Sequence, residues 1–228
     1  MKQMKRANLI IKNIEKKDVF KKAFTHVSFQ NEKCLGLGQS YECLEFLGDS
    51  ILNFHTSLFI YRNYPNFTEG QMSKLKQYIV KESSLEEVSK ELNLSRFLKL
   101  SEAEKKNGGL EKTSILADIY ESLIAAIYLE KGEKIVWDFL KNSLFKLIEG
   151  KEDLIWDYKT KLQEFCQSKK NNLMYSLIKT KADQYNDKIF VIEVNDKFGE
   201  IKEIGEGKTK KNAEQKAAFN AMKSLKLI

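Results

Sequence analysis

Tyr41-Glu42-Cys43-Leu44-Glu45-Phe46-Leu47-Gly48-Asp49-Ser50-Ile51-Leu52 is an apolar stretch that carries three carboxylates at positions i, i+3 and i+7. An α-helix has about 3.6 residues per turn, so this spacing predicts that the three acids share one face and the leucines the opposite face. A second apolar run, 116–122, repeats the i, i+3 spacing with Asp118 and Glu121. Two acidic stripes that face each other would form a metal site.

Lysine and arginine are absent from both acidic stretches, 34–61 and 113–130, although the chain has 39 of them among 228 residues. An acidic stripe is ordinarily a solvated face, but in so lysine-rich a chain such a face would carry Lys partners four residues away. Grouped carboxylates without cations repel one another unless protons or a divalent cation offset their charge. The pattern therefore favours a bound cation.

The other metal-binding residue types narrow the choice of cation. The three cysteines, Cys34, Cys43 and Cys166, have no Cys-x-x-Cys spacing, which argues against a thiolate zinc site and a disulfide framework. The two histidines, His26 and His55, do not follow a Glu at the Glu-x-x-His spacing, so a di-iron site is also disfavoured. Oxygen ligands predict Mg²⁺, with Mn²⁺ as a plausible substitute, and no small-molecule cofactor.

The net charge of +7 is concentrated in the last third of the chain. Residues 155–228 hold 15 Lys and 10 acids, which leaves +2 for the first 154 residues. A basic surplus suits a polyanionic partner. Every apolar run meets an acid before it reaches the roughly 20 residues that span a bilayer, and the Lys-rich start is unlike a signal peptide. We therefore expect a cytoplasmic protein with no membrane contact.

The periodicity of apolar residues changes near residue 150 and predicts two domains of an α+β protein. We expect an all-helical domain at 1–150, a short linker at 151–156, and a domain of order α-β-β-β-α at 157–228. Helices are predicted after Asp18 and Thr68 as N-caps, at 42–63 before Pro65, and at 83–92, 113–130, 135–148 and, after Asp157, 158–167. Strands are predicted at 173–181, 188–194 and 198–205.

Both ends of the chain carry motifs that resemble one family. Glu42-Cys43-Leu44-Glu45-Phe46-Leu47-Gly48-Asp49-Ser50 is similar to the signature of the ribonuclease III family, and Ser114-Ile115-Leu116-Ala117-Asp118 through Glu121 resembles its second acidic block. Lys159-Thr160-Lys161-Leu162-Gln163-Glu164 and Lys210-Lys211-Asn212-Ala213-Glu214-Gln215-Lys216-Ala217-Ala218 resemble a double-stranded-RNA-binding domain. The resemblance covers nearly the whole chain, in the domain order of the family's bacterial members.

The resemblance implies a dimeric endonuclease that hydrolyses double-stranded RNA with Mg²⁺ and leaves 5′-phosphate and 3′-hydroxyl ends with a short 3′ overhang. It also implies a role in processing ribosomal RNA precursors and other structured transcripts. By motif position the essential carboxylates are Glu45, Asp49, Asp118 and Glu121, with Glu42 and Glu69 in supporting places. We expect Glu45, Asp118 and Glu121 to ligate the metal, and Asp49 to hold the attacking water or a metal-bound water. Asp49 and Glu121 are thus the leading catalytic candidates.

Three positions depart from the family pattern. Tyr41 and Cys43 stand where the family usually has Asn and Arg, so the cation expected beside Glu42 is missing. The loop between the first two strands of the second domain usually offers a histidine, and this tail has none. Asn186 is the best substitute for that histidine, and Tyr185 is the next.

The second domain is expected to bind duplex RNA through its backbone. A-form RNA has a narrow major groove that excludes side chains, so a protein contacts 2′-hydroxyls and phosphates. We expect Gln163 and Asn186 to contact a 2′-hydroxyl in the minor groove. Lys208, Lys210 and Lys211 stand at the start of the last helix, where free backbone N–H groups add to their charge at a phosphate.

Two other functions fit part of the sequence. A non-catalytic double-stranded-RNA-binding protein could keep a nuclease-like scaffold, but a scaffold has no reason to keep four acids together without cations. An all-helical carboxylate protein that acts on small phosphates leaves the αβββα tail unexplained. Glu69 also has a second interpretation, since a carboxylate in the first turn of a helix is favoured by the helix dipole alone.

Cleavage of both strands of a duplex predicts a homodimer. Staggered cuts in a two-fold-symmetric duplex call for two carboxylate clusters that are related by a two-fold axis. The first acidic helix has more apolar residues than one buried stripe needs, which leaves surface for a partner. These residues are Phe46, Leu52, Phe54, Leu58 and Phe59.

Overall fold

The computed structural model describes residues 2–65, 67–148, 158–182 and 187–227. The chain divides into two compact units, Met1–Glu149 and Gly150–Ile228. The predicted linker at 151–156 and the predicted cap at Asp157 lie outside the described residues. No helix in the described ranges is long and apolar enough to cross a membrane.

The first unit is helical, as the sequence predicts, and contains nine α-helices in the residues that the structure describes. They are α1 (Lys2–Lys12), α2 (Asp18–Ala23), α3 (Val27–Glu32), α4 (Glu42–Asn63), α5 (Glu69–Val80), α6 (Glu82–Glu91), α7 (Glu102–Lys106), α8 (Thr113–Lys131) and α9 (Glu133–Asn142). Short 3₁₀ turns lie at Leu94–Phe97, Gly109–Glu111 and Phe145–Ile148.

Helix α8 forms the centre of this unit. Its residues between Ile115 and Ile127 are buried, apart from the two half-buried acids at 118 and 121. Two serines attach neighbouring helices to it: the Ser89 hydroxyl of α6 donates to the Leu116 carbonyl at 2.7 Å, and the Ser122 hydroxyl donates to the Ala23 carbonyl at 2.6 Å. The two acids of α8 are therefore fixed on a rigid and well-packed element.

Several predicted helix ends are confirmed by local chemistry. Thr68 is the N-cap of α5 and forms a capping box with Gln71, in which each side chain accepts from the other residue's backbone N–H. Gly132, at φ +76°, ends α8 after Lys131, within one residue of the predicted end at 130. The predicted N-cap at Asp18 is wrong by one residue, because Asp18 begins α2 and its carboxylate accepts from the Lys21 ammonium at 2.7 Å.

The predicted helix at 135–148 is also wrong in its second half. Helix α9 stops at Asn142, and Ser143 leaves helical geometry with φ −122° and ψ −74°. The buried Ser143 hydroxyl donates to the Phe139 carbonyl and shares a 2.8 Å hydrogen bond with Tyr120 of α8. These two bonds hold the chain at the position where apolar periodicity alone would continue the helix.

The second unit has the predicted order: α10 (Tyr158–Ser168), β1 (Leu173–Ala182), β2 (Lys188–Asp196), β3 (Lys202–Gly207) and α11 (Lys210–Ser224). The sheet is antiparallel with strand order β1-β2-β3. Gly205 allows α11 to lie directly on β3, since a Cβ there would stand 2.1 Å from the Ala217 nitrogen. Strand β3 begins four residues later than predicted, because the Asp196 carboxylate accepts from the Ile201 N–H and closes a turn with Gly199 at φ +75°.

Candidate active site and RNA-binding surface

The two acidic helices, α4 and α8, cross at Gly48. A Cβ on Gly48 would lie 1.9 Å from the backbone oxygen of Glu121, so the two backbones are in direct contact at this point. Glu45 and Asp49 flank Gly48 on one helix, and Glu121 with Asp118 lies on the other. The glycine of the first motif therefore brings together the acidic stripes that the spacing predicts.

Electrostatics show that these acids act on one another. The pKa of Glu45 is raised to about 7, mainly by burial and next by the charge of Asp118. Burial and then the charges of Asp49 and Glu45 raise the pKa of Glu121 to about 8. Burial also raises the pKa of Asp118, although a hydrogen bond from Tyr41 opposes that rise. The charges of Asp49 and Asp118 thus act on both Glu45 and Glu121, so the four carboxylates belong to one site.

The donor set of this site fits a hard divalent cation. In the described ranges none of the four acids forms an ion pair with Lys, Arg or His. The four side chains offer only carboxylate oxygens, the ligand type that Mg²⁺ and Mn²⁺ prefer. Across the same described residues, no three His, Cys, Asp or Glu side chains already have an arrangement that could hold a metal ion.

The two supporting acids occupy different places. Glu42 begins α4, accepts a hydrogen bond from the Ser40 hydroxyl at 2.8 Å, and adds its charge to those that raise the pKa of Glu45. Ser40 is thus the partner of Glu42, where the family usually offers a cation. Glu69 lies in the first turn of α5, where its carboxylate accepts from Ser73 at 2.7 Å, and it is not among the charges that shift the pKa values of Glu45, Asp118 and Glu121.

Three residues near the site are not predicted by the helical spacing of the acids. Tyr41 is buried, and its hydroxyl donates to the Asp118 carboxylate at 3.0 Å. Glu82 begins α6, and its charge raises the pKa of both acids of α8. His26 is the N-cap of α3, its ring centroid lies 5.6 Å from that of Tyr41, and burial lowers its pKa. Glu82 and His26 lie outside the two motifs, while Tyr41 is visible in the sequence only as a departure from the family pattern.

The predicted RNA-binding residues of the second unit are exposed where the structure describes them. Gln163 lies on the exposed side of α10, and Lys210 and Lys211 are exposed in the first turn of α11. Lys208 precedes that helix, and its ammonium pairs with the Asp187 carboxylate at 2.7 Å. Asn186, predicted as the minor-groove substitute for histidine, lies outside the described residues, as does Tyr185.

The raised pKa values make the metal-free protein sensitive to pH. A carboxylate whose folded pKa lies above its unfolded value contributes stability that is complete below about pH 4.5 and is lost as the pH rises through the folded pKa. For Glu45 and Glu121 the loss falls between about pH 5 and pH 8. When the pH is raised from 5.5 to 8.5, the parent should therefore lose more free energy of unfolding than the double variant Glu45→Gln, Glu121→Gln. We expect this difference to be about 1–2 kcal/mol, after a discount for solvent screening.

The measurement is urea unfolding of both proteins with a metal chelator at the two pH values. Other groups also titrate in this range. The quantity to compare is therefore the difference in free energy of unfolding between parent and variant at each pH. An identical pH dependence in both proteins would contradict the electrostatic coupling of the four acids.

A helical unit with a cluster of carboxylates, followed by an αβββα unit with lysines at a helix start, is the arrangement expected of a nuclease with a duplex-RNA-binding module. Comparisons with known proteins agree. A family model described as Ribonuclease-III-like matches residues 16–148, and a double-stranded RNA binding motif matches residues 158–225. The chain belongs to the ribonuclease III family, and it is an endoribonuclease that acts on double-stranded RNA.

Individual relatives cover most of the chain. It is 42% identical to ribonuclease 3 of Oceanobacillus iheyensis over 219 residues, which is 93% of each protein. It is 40% identical to ribonuclease 3 of Spiroplasma citri over 215 residues, 93% of this chain and 86% of the relative. The crystal structure of the nuclease domain of ribonuclease III from Campylobacter jejuni matches with 33% identity and a TM-score of 0.52, and covers 62% of this chain and 97% of that one. The family is metal-dependent, and a non-catalytic RNA-binding scaffold is not favoured.

Proposed function

We propose that the protein hydrolyses double-stranded RNA with Mg²⁺, for which Mn²⁺ can substitute, and leaves 5′-phosphate and 3′-hydroxyl ends. We propose that its targets are ribosomal RNA precursors and other structured transcripts of the cytoplasm. The observation that carries the proposal is the contact of α4 and α8 at Gly48, which brings together four carboxylates that form no ion pair with Lys or Arg in the described part of the chain. The negative charge and the oxygen ligands of such a site suit a divalent cation.

Glu45, Asp118 and Glu121 would hold the cation. When bound, Mg²⁺ supplies positive charge at the phosphate oxygens and makes a bound water more acidic. The proton that Glu121 carries near neutral pH, given its pKa of about 8, leaves when the carboxylate becomes a ligand. Metal affinity should therefore rise with pH across this range.

Asp49 is the residue best placed to orient the attacking water. It is exposed, and the Asn53 side-chain amide donates to its Oδ1 at 2.6 Å. That hydrogen bond fixes the carboxylate plane and leaves Oδ2 free of this donor. A fixed carboxylate oxygen beside the metal ligands can accept a hydrogen bond from a water molecule. That bond would orient the water so that a lone pair of the water oxygen points at the phosphate.

The second unit would deliver the duplex to this site. Lys208, Lys210 and Lys211 would contact a phosphate at the start of α11, where the helix dipole adds to their charge. Gln163 and Asn186 would contact 2′-hydroxyls, which distinguish RNA from DNA. Binding through these groups is independent of base sequence.

The active species would be a homodimer that forms through α4. An exposed stripe runs along this helix for about 22 Å at helical spacing. It contains Phe46 at 80% exposure, Phe54 at 57% and Tyr61 at 70%, with the exposed Ser50 and Ser57 between them. An apolar stripe of this length on a charged protein is the mark of an interface, and a two-fold axis would pair the same stripe on both copies.

The structure changes the set of residues predicted for this contact. Leu52 is fully buried in its own unit, and Phe59 is half-buried with its ring 4.1 Å from that of Phe145. Leu58 is also half-buried, so only Phe46 and Phe54 of the predicted set lie on the exposed stripe. The description of a solved nuclease domain of ribonuclease III from Campylobacter jejuni names a region involved in dimer formation. This description supports the proposal.

Replacing Phe46 and Phe54 by Ser should convert the dimer to a monomer at micromolar concentration, because both apolar anchors of the stripe are lost. Sedimentation velocity measures the change, and the monomer should no longer cut both strands of a duplex. Leu37→Ser is the matched control, since Leu37 is 97% exposed on the loop before α4 and off the stripe. A double variant that stays dimeric would place the interface elsewhere.

The proposed activity is tested with uniform duplex RNA. The parent is incubated with duplex and with the separated strands, each with Mg²⁺ and with a chelator, and the product ends are analysed. Cleavage of the duplex alone, only with Mg²⁺, with 5′-phosphate and 3′-hydroxyl ends, is the expected result. Cleavage in chelator, or 3′-phosphate ends, would exclude the proposed chemistry.

A further inference from the structure

We propose that Tyr41 is a positioning residue that holds the Asp118 carboxylate ready for the divalent cation and thereby sets the affinity of the site for it. This inference deepens the proposed function and rests on it. Tyr41 is not one of the acids, and the family usually has Asn at this position, so the motif alone gives it no role.

The geometry of the phenol supports this role. Tyr41 is only 3% exposed, and its hydroxyl donates to Oδ2 of Asp118 at 3.0 Å. The bond joins two residues 77 positions apart, one at the start of α4 and one on the central helix α8. A single donor on Oδ2 leaves Oδ1 free of the phenol and able to face a cation.

The backbone of Tyr41 is as well fixed as its side chain. Its N–H donates to the Thr25 carbonyl at 2.8 Å, and its carbonyl accepts from the N–H groups of Leu44 and Glu45, each at 2.8 Å. Tyr41 thus starts the helix that carries Glu45 and at the same time reaches across to Asp118. One residue relates a ligand on α4 to a ligand on α8.

A hydrogen-bond partner that orients a metal ligand affects how tightly the metal binds. A carboxylate that lacks such a partner must be ordered by the metal when it binds, and loss of the partner typically lowers metal affinity by about 10–100-fold. Asp118 is half-buried, so without the phenol its Oδ2 would lose a hydrogen bond in a place with restricted access to water. We therefore expect the metal affinity to fall, a change that a loss of packing or of stability alone would not produce.

Tyr41→Phe removes the hydroxyl and leaves the ring. In the full-length protein without RNA, calorimetric titration with Mn²⁺ alone should show binding about 10-fold weaker than in the parent. In the cleavage assay, the Mn²⁺ concentration for half-maximal rate should rise by a similar factor, and added Mn²⁺ should restore much of the lost rate. A purely structural role would instead lower thermal stability and leave the metal titration unchanged.

Tyr120→Phe is the matched control, because Tyr120 is also buried in this unit and its hydroxyl bonds to the neutral Ser143 at 2.8 Å. It should bind Mn²⁺ as the parent does, whatever its stability. The inference would be overturned if Tyr41→Phe bound Mn²⁺ as tightly as the parent while Asp118→Asn bound none. The proposed function would then remain intact. A parent that bound no Mn²⁺ would overturn both.

A second readout does not depend on the folding of the variant. In the parent sequence with 3-fluorotyrosine at position 41, the ¹⁹F resonance should shift as diamagnetic Mg²⁺ is added, and the shift should saturate with the binding isotherm. A resonance that does not move while Mg²⁺ binds would also overturn the role of Tyr41.

Discussion

Glu121→Gln is expected to lose cleavage of duplex RNA by several orders of magnitude while it binds the duplex as the parent does. Glutamine keeps the size and hydrogen-bonding capacity of the side chain but removes one ligand charge from a site made only of carboxylates. Glu121 is half-buried on α8, at the position where the backbone of α4 contacts it. Single-turnover cleavage and filter binding on the same duplex separate the two effects.

The complementary change is Lys210→Ala with Lys211→Ala. Both lysines are exposed in the first turn of α11, and their loss leaves every carboxylate of the first unit in place. Binding should weaken to a similar extent for all duplex sequences, and the salt dependence should become shallower by at most about two units of slope. High RNA concentration should then restore much of the turnover. Normal cleavage by Glu121→Gln, or unchanged binding by the lysine variant, would contradict the division of labour between the units.

The fold could be predicted because two independent patterns agree with it. Helical periodicity before residue 150 and strand patterns after it gave the order of elements, and the structure confirms that order. The ends of elements were predictable where one side chain determines them, as Thr68 does through its capping box and Gly132 through its positive φ. They were not predictable where a distant contact decides, as at Ser143, which is fixed by Tyr120 of another helix.

The lack of lysine in the acidic stretches has more causes than the sequence alone suggests. On α8 it follows from burial, since nearly every residue between Ile115 and Ile127 is inside the unit. On α4 the exposed stripe from Phe46 to Tyr61 accounts for part of it. Metal binding is needed only to explain why, in the described residues, the four acids themselves form no ion pair with Lys or Arg. The prediction of a metal site therefore rested partly on a signal that also reports packing.

Contacts between motifs are what the sequence could not supply. The approach of Tyr41 to Asp118 spans 77 positions, and the charge of Glu82 reaches the site from a third helix. Spacing rules describe one helix at a time, so they place residues on a face and do not say which face another helix covers. Gly48 was visible in the motif, but its role appears only when the backbone of Glu121 is found against it.

Gly48→Ala should therefore be among the most damaging single changes in the first unit. The added methyl group would overlap the Glu121 backbone oxygen at 1.9 Å, and backbone cannot turn aside as a flexible side chain can. Helices α4 and α8 must separate, which we expect to cost about 3 kcal/mol or more of unfolding free energy. A displacement of about 1 Å between the acidic stripes should also reduce cleavage by at least 100-fold in protein that remains folded.

Gly70→Ala is the matched control for this prediction. Gly70 lies in helix α5, and a Cβ there meets nothing within 4 Å. Alanine is favoured over glycine inside a helix by about 1 kcal/mol, so this variant should unfold at the same urea concentration as the parent or a higher one, with cleavage retained. If Gly48→Ala matched the parent in urea unfolding and in cleavage rate, the two backbones could not be in contact at Gly48, and the carboxylates would have to be brought together in some other way.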